Sequence, residues 1–297
     1  MIIVQVLVPV LVLIAAGYLL RKMVGTDHRP LSQAGMYVFM PALAINALSK
    51  TQMPPGEATW IVVYTLALHL CALLVTFAFS KIFRLSSQEH IALQLSTVFP
   101  NNGYFGVPLL MFALGQPGFE RGVVVNIVTV ILIFTVGLYL ASSARGGWEQ
   151  SIKAVIRTPL IYAAATGMGM KYLGITLPQA LDYPVTMLAE ANIPLFLVVL
   201  GMQLLDVRVS RQAGKIALGV ILRLVVGPLL AILLVHVMRF TGLTAQALVL
   251  VSGVPSAVIT ALLADEYGAE PELAAGITFF TTLFSFITLT PLLIWLL

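Results

Sequence analysis

Long apolar segments alternate with short polar connections along the whole chain. A helix needs about 17 to 25 mostly apolar residues to cross a bilayer, and ten segments meet or nearly meet that length. They cover, roughly, residues 2–20, 31–48, 59–79, 91–114, 122–142, 159–173, 184–205, 214–238, 244–264 and 273–296. The pattern predicts an all-α polytopic membrane protein with ten transmembrane helices, numbered here as spans 1 to 10.

The composition agrees with this pattern. Charged residues make up 9% of the 297 positions and hydrophobic residues 60%, with a mean hydropathy of +1.02, so the chain lacks the polar surface of a soluble domain. The single cysteine, Cys71, excludes a disulfide framework and a thiolate metal site. The first apolar run has no basic region before it and no small-residue cleavage site after it, which predicts a retained span.

The basic residues indicate the orientation of the spans. Eleven of them fall in the odd-numbered connections, namely Arg21, Lys22, Arg29, Lys81, Arg84, Arg145, Lys153, Arg157, Arg208, Arg211 and Lys215. The even-numbered connections hold four, Lys50, Arg121, Lys171 and Arg239. Because lysine and arginine are enriched in cytoplasmic loops, we expect the odd connections in the cytoplasm and both termini outside it, in a multi-pass protein of the cell membrane.

Several prolines, glycines and arginines recur in the second half of the chain at a nearly constant distance. The pairs are Pro9 with Pro159, Gly17 with Gly167, Pro41 with Pro194, Arg84 with Arg239, and Pro100 with Pro255, at offsets of 150 to 155. Five spans per half would place the halves in opposite orientations, as in many transporters. We therefore predict a five-plus-five inverted repeat, with residues 1–142 as the first repeat, 143–158 as a cytoplasmic linker and 159–297 as the second repeat.

Spans 4 and 9 each carry helix-breaking residues near their centre. These are Pro100 and Pro108 in span 4, and Gly253 and Pro255 in span 9. Proline removes a backbone donor and clashes with the preceding turn. Irregular backbone at membrane depth is tolerated only where it is buried in protein or lines a water-filled cavity. The sequence therefore predicts two broken helices that cross at mid-membrane.

A crossing of this kind predicts a binding site for an anion. The N-termini of both second half-helices would face one spot, and each offers unpaired N–H groups and roughly half a positive charge. The predicted substrate-binding residues are Asn101, Asn102, Gly103 and Tyr104 in span 4, Ser252, Pro255 and Ser256 in span 9, and Asn192 in span 7. The alternative is that asparagine and proline only kink and cap a structural helix.

Ionisable residues inside the spans are rare and are candidates for function. Arg223 in span 8 is the only lysine or arginine in the interior of a span, since Lys171 and Lys215 fall at span ends. It is expected either to bind the anion or gate its path, or to snorkel or form a structural pair. Glu190 in span 7 and His69 in span 3 are candidates for coupling transport to H⁺ or Na⁺, although most such histidines bond a neighbouring helix. No cofactor and no metal are expected.

The stretch PNNGYFGVPLL, from Pro100 to Leu110, resembles the asparagine, glycine and proline motif of the auxin efflux carrier family of permeases. The resemblance extends to spans 2 and 7 and to the segment from Val254 to Leu293, so it covers essentially the whole chain. It implies a scaffold of spans 1, 2, 6 and 7 and a transport domain of spans 3 to 5 and 8 to 10, which moves in an elevator-like way around crossed spans 4 and 9.

The chain also departs from the plant auxin exporters of that family. They carry a proline between two asparagines in the crossing region, whereas this chain has Asn101 and Asn102 side by side, followed by Gly103. It also lacks their long central hydrophilic loop. The bacterial permeases of the family, named for malate or malonate, are therefore the better comparison.

Together these features predict a secondary transporter for a small organic anion, a carboxylate such as malonate or malate or an auxin-like acid. An enzyme is not expected, because there is no GxSxG or Walker A element and no zinc-ligand spacing on one helix. Two alternatives stay open: a sodium-coupled organic-anion symporter of the related bile-acid carrier type, and a membrane sensor that does not transport. The expected partners are the substrate and the bilayer, without nucleic acid, and a homodimer is left open.

Overall fold

The computed structural model describes residues 2–54, 56–142, 159–206 and 212–297. The predicted linker 143–158 and the basic residues Arg208 and Arg211 lie outside these ranges. Within them the chain is helical and contains no β-strand. Seven helices there are long and apolar enough to cross a membrane, which confirms the prediction of a helical multi-pass membrane protein.

Eleven helices, α1 to α11, make up the described part of the chain. Their bounds are Ile2–Val24 for α1, Arg29–Ser49 for α2, Glu57–Ile82 for α3, Ser87–Val98 for α4, Asn102–Ser142 for α5, Pro159–Leu173 for α6, Gln179–Gln203 for α7, Ala213–Val237 for α8, Gly242–Ser252 for α9, Val258–Tyr267 for α10 and Pro271–Leu296 for α11. Gly115 interrupts α5 with a φ of 64° and a ψ of −160°. That conformation favours glycine, and it falls where predicted span 4 ends.

Helices α1 and α7 cross in direct backbone contact, because both carry a glycine where they meet. A Cβ atom on Gly17 of α1 would lie 1.9 Å from the carbonyl oxygen of Val198 of α7. A Cβ on Gly201 of α7 would lie 1.9 Å from the carbonyl oxygen of Ile14 of α1. Helices α2 and α6 meet in a similar way, with Gly167 against Ile45. These four helices therefore pack as one tight group.

A shielded polar cluster joins α3, α5 and α9. Arg121 of α5 pairs with Glu57 at the start of α3 at 2.7 Å, and their side chains are only 11% and 12% exposed. The Arg121 guanidinium also donates to the hydroxyl of Thr244 in α9 and to the carbonyl of Pro117, both at 2.8 Å. The Thr244 hydroxyl donates in turn to Glu57. The cluster ties the ends of three helices together.

The close approach of α1 and α7 makes Gly201 a test of the fold. We expect Gly201→Ala to lower the free energy of unfolding by about 1–3 kcal/mol, because the added methyl group forces the two backbones apart. In Gly169→Ala, on α6, a Cβ would meet nothing within 4 Å, and alanine stabilises a helix by up to about 1 kcal/mol over glycine. Thermal unfolding in detergent measures both. Equal midpoints for the two variants would contradict the contact.

Candidate functional site

Both predicted helix breaks are present in the structure. Helix α4 ends at Val98 and α5 begins at Asn102, while α9 ends at Ser252 and α10 begins at Val258. Pro100 and Pro255 lie inside these gaps, where their missing N–H group would break a continuous helix. The sequence thus forces an interruption at each place.

The two breaks hydrogen-bond to each other. The Asn101 N–H donates to the Pro255 carbonyl at 2.8 Å, and the Ala257 N–H donates to the Phe99 carbonyl at 2.9 Å. Pro100 and Ser256 thereby form an isolated antiparallel bridge. Each break supplies the backbone partners that the other lacks, so the crossing satisfies these polar groups without water.

The crossing lies about halfway along both broken helices. Helix α4 has 12 residues, α9 has 11 and α10 has 10, which at about 1.5 Å per residue gives lengths of roughly 15 to 18 Å. Half of a hydrocarbon core of about 30 Å is of the same length. Each half-helix is therefore about long enough to reach the middle of a bilayer.

A cavity of about 70 Å³ lies beside the crossing. The starts of both second half-helices line it together, with walls from α2, α6 and the later part of α5. The lining residues are Met36, Met40, Pro100, Asn101, Asn102, Gly103, Tyr104, Asn126, Thr129, Val130, Ile133, Phe134, Leu160, Ala257, Val258 and Ile259. None of these described residues carries a charge. The wall is mostly apolar with a few polar groups, as is typical of small-molecule sites.

Asn101 and Asn102 place polar atoms without a protein partner in this wall. The Asn101 side chain is 4% exposed, and its Oδ1 accepts from the Tyr104 N–H at 3.2 Å, which caps α5. The Asn102 Nδ2 donates to the Thr129 hydroxyl at 2.8 Å. The Asn101 Nδ2 and the Asn102 Oδ1 are buried and have no partner among the described residues. Because buried polar groups are normally paired, these two atoms are candidates for contact with a ligand.

The helix ends give the cavity a positive character. The first N–H groups of α5 and α10 have no carbonyl within their own helix, and each N-terminus carries roughly half a positive charge. The described lining holds no charged side chain, and the two helix ends contribute a positive field at the cavity. The arrangement favours a carboxylate.

The predicted residues of span 9 lie behind the crossing and do not line the cavity. The Ser256 hydroxyl donates to the Ser96 carbonyl, and the Ser256 N–H donates to the Thr281 hydroxyl at 3.2 Å. The Ser252 hydroxyl donates to the Val249 carbonyl at 2.6 Å within its own helix. Pro255 gives its carbonyl to Asn101. In this structure these residues hold the crossing together.

Arg223 also lies behind the crossing and not in the cavity wall. The residue is 4% exposed. Its guanidinium donates to the carbonyls of Val254 at 3.0 Å and Thr97 at 3.1 Å, and also to the carbonyl of Ser252. Arg223 therefore contacts both broken helices through their backbone.

The remaining predicted residues are not among those that line the cavity. Asn192 of α7 is 2% exposed, and its Nδ2 has no described partner. His69 is buried, with its Nδ1 2.8 Å from the Thr65 carbonyl and its ring centroid 5.9 Å from that of Phe99, while its Nε2 has no described partner. Glu190 lies on an exposed face of α7. His69 is thus close to the first break, whereas Glu190 is not buried.

Sequence reasoning did not assign Met40, Asn126 and Thr129 to the site. Thr129 holds the Asn102 amide, and the Asn126 Nδ2 lies 3.9 Å from the Met40 sulfur. Their one signal in the sequence is that Asn126 and Thr129 are polar residues one helical turn apart in an apolar span, which is a pattern that helix contacts also produce.

Fold and site together define a polytopic membrane protein of the transporter class, with broken helices around a cavity. The sequence matches the family described as "Membrane transport protein" over residues 2–294. The chain belongs to this family of membrane transporters, and the resemblance to the auxin efflux carriers is confirmed.

Three relatives of this family cover nearly the whole chain. An "Uncharacterized transporter" of Methanothermobacter thermautotrophicus is 26% identical, with 94% of each chain covered. A "Putative malonate transporter" of Rhizobium meliloti is 24% identical over 95% of this chain and 92% of its own length. The "Uncharacterized transporter YfdV" of Escherichia coli is 22% identical over 97% of this chain and 96% of its own. The relatives are thus named as transporters.

The bond between Asn102 and Thr129 gives a test of the cavity wall. Thr129→Val keeps the shape of the side chain but leaves the buried Asn102 Nδ2 without its acceptor, so we expect a loss of about 1–3 kcal/mol in the free energy of unfolding. Thr135→Val is the matched control, because the Thr135 hydroxyl donates to the Ile131 carbonyl of its own helix. Thermal unfolding in detergent compares them. Equal losses in both variants would show that the Asn102 bond contributes nothing.

Proposed function

We propose that the protein is a secondary transporter that binds a small organic carboxylate in the cavity beside the crossing. The observation that carries this proposal is that two helix N-termini line one uncharged cavity together with Asn101, whose buried Nδ2 has no partner among the described residues. A carboxylate there accepts hydrogen bonds from the amide and from the N–H groups of α5 and α10. The name of the Rhizobium meliloti relative supports malonate as the first substrate to test.

The size of the cavity supports a small substrate. One water molecule needs about 10–15 Å³ by the same measure, so the volume of about 70 Å³ corresponds to roughly five waters. Malonate or malate is of that order, whereas the indole ring of an auxin-like acid requires the walls to move apart. We therefore rank short-chain carboxylates first.

A pair of matched helix contacts supports the proposed five-plus-five inverted repeat. Gly17 of α1 lies against Val198 of α7, and Gly167 of α6 lies against Ile45 of α2. Residues 17 and 167 differ by 150 positions, and residues 45 and 198 differ by 153. The first contact therefore becomes the second when each residue is replaced by its equivalent in the other half. A two-fold relation between the halves produces this exchange.

The backbone at two matched arginines gives further support. Arg84, after α3, has a φ of 50°, and Arg239, after α8, has a φ of 59°. Positive φ is uncommon outside glycine, and these residues are 155 positions apart. Arg84 lies between α3 and the first broken helix, and Arg239 lies between α8 and the second. Equivalent positions of a repeat would match in this way.

Polar contacts between connections support an alternation of ten spans. Lys215, in the first turn of α8, pairs with Glu89 in the first turn of α4, and this pair supports an arrangement with connections 3 and 7 on one side. Lys50, after α2, pairs with Asp182 of α7 at 2.7 Å, which places connections 2 and 6 together. The odd connections carry most of the basic residues, so we assign them to the cytoplasm and both termini to the other side of the cell membrane.

Transport in this proposal follows an elevator-like movement. The scaffold consists of α1, α2, α6 and α7, which pack closely through glycines, and the other helices form the transport domain. The scaffold contributes Met36, Met40 and Leu160 to the cavity wall, and the transport domain contributes the rest. Because the site lies between the scaffold and the transport domain, sliding of the transport domain along the scaffold would open it to one side of the membrane and then to the other. Whether two copies associate through the scaffold is a separate question that their mass in detergent answers.

Asn101 is the residue that tests the proposed site. In proteoliposomes we expect saturable uptake of labelled malonate and a loss of affinity of at least about tenfold in Asn101→Ala, because a hydrogen bond to a charged group contributes about 1.5–3 kcal/mol. Asn46→Ala is the matched control, since Asn46 bonds to Thr186 away from the cavity.

The same assay distinguishes the alternatives. Malate and indole-acetate are compared with malonate under imposed proton, sodium and voltage gradients. Uptake that requires sodium would favour the bile-acid carrier type, and binding without flux would favour a sensor. Unchanged affinity in Asn101→Ala would disprove the proposed site.

His69 is our candidate for proton coupling, because its Nε2 is buried without a described partner close to the first break. We expect His69→Gln to retain malonate uptake but to lose its response to an imposed pH gradient. His236→Gln and Glu190→Gln serve as comparisons, since both residues are exposed. A normal response to the gradient in His69→Gln, or its loss in Glu190→Gln alone, would rule out His69.

A further inference from the structure

We infer that Arg223 is a positioning residue that joins the two broken helices through their C-terminal carbonyls and so keeps both opposing N-termini at the cavity. The inference rests on the proposed function for its effect on substrate, but its structural part can be tested without any ligand. It assigns Arg223 a role at the crossing that differs from direct contact with the anion.

The contacts of Arg223 reach two separate segments of the chain. One guanidinium nitrogen donates to the carbonyl of Thr97, in the last turn of α4. The others donate to the carbonyls of Ser252, the last residue of α9, and of Val254, two residues further on. The last carbonyls of a helix have no N–H partner within that helix, and here a single side chain satisfies carbonyls at two helix ends. A planar guanidinium can bridge several acceptors in fixed directions, whereas a lysine is a point donor on a flexible stem.

The local shape of α8 aims this side chain. Residues Leu222–Val226, which include Arg223, form a wider turn of the π type between two stretches of α-helix. A π-turn inserts one extra residue into the helix and is frequent at functional sites. The turn lies in the interior of α8, where it presents a buried basic side chain to the crossing.

The charges at the crossing explain why a cation is placed there. Each helix C-terminus carries roughly half a negative charge, so the ends of α4 and α9 together carry about one, which the guanidinium offsets. None of the ion pairs between described residues involves Arg223. With the carbonyl ends neutralised, the N-termini of α5 and α10 set the field in the cavity.

The position of Arg223 argues against direct binding of the anion. Its side chain is buried, three of its contacts go to backbone carbonyls, and it is not part of the cavity wall. If Arg223 bound the substrate by its charge, lysine would replace it in large part. If it acts by bridging two segments, lysine fails nearly as badly as a neutral residue. The two roles therefore predict different results for Arg223→Lys.

Hydrogen–deuterium exchange in nanodiscs tests the structural part. In wild type we expect residues 96–106 and 252–259 to exchange slowly and at similar rates. In both Arg223→Lys and Arg223→Gln we expect exchange in the two segments to rise together by at least about tenfold, since a buried charged hydrogen bond is lost. Arg121→Lys is the matched control, because Arg121 also bridges several partners but lies outside the crossing.

Three results would overturn the inference. These are different rates for the two segments in wild type, a rise in only one of them in the variants, and an equal rise throughout the protein. The wild-type comparison stands even if a variant does not fold. If the Arg223 variants exchange faster in these two segments alone, while the wild-type protein binds no malonate, the inference is upheld and the proposed function is rejected.

Malonate affinity tests the effect on the site. We expect Arg223→Lys and Arg223→Gln to weaken binding by similar factors of about tenfold or more, as for the loss of one hydrogen bond to the charged substrate, and Arg121→Lys to leave it unchanged. In the double variant Arg223→Lys with Asn101→Ala, the two losses should not add, because a displaced Asn101 no longer contributes. Full affinity in Arg223→Lys together with a loss in Arg223→Gln would instead assign direct charge contact.

Discussion

The structure depends on one constraint: in hydrocarbon, every backbone polar group must find its partner within the protein. Two apolar helical segments are nevertheless broken near their centres. They are compatible with the constraint because Asn101 and Ala257 carry the backbone bonds that join one break to the other. Thr281 and Arg223 then donate to backbone or hydroxyl groups around the same crossing. Neither break is satisfied without the other, so the crossing behaves as one structural unit.

The same constraint explains where the cavity lies. The carbonyl ends of the first half-helices are paired with Arg223, whereas the N-terminal ends of the second half-helices line the cavity beside Asn101 and Asn102. An electropositive cavity with an uncharged wall results. Such a wall can bind and release an anion without leaving a buried charge unpaired when the site is empty, since burying an isolated charge is costly.

The two groups of helices are held by different forces. Helices α1 and α7 approach until glycine backbones touch, so their association rests on van der Waals contact. In the other group, hydroxyl groups around the crossing and the Glu57–Arg121 pair at the helix ends supply polar links. The cavity lies where the groups meet, with Met40 on one side and Asn102 on the other. This division agrees with the movement that we propose, in which each group stays rigid.

The apolar segments, the prolines that break two helices and the asparagines of the cavity could all be read from the sequence, because hydrophobicity and helix breaking are local properties. Membership of the transporter family followed from the same residues. Only the tertiary structure decided which face of each helix meets the cavity: Ser256 points behind the crossing, while Thr129 reaches Asn102 from a distant turn. It also decided the partners of Arg223, because these are backbone carbonyls, which every residue carries and which therefore leave no trace in a sequence.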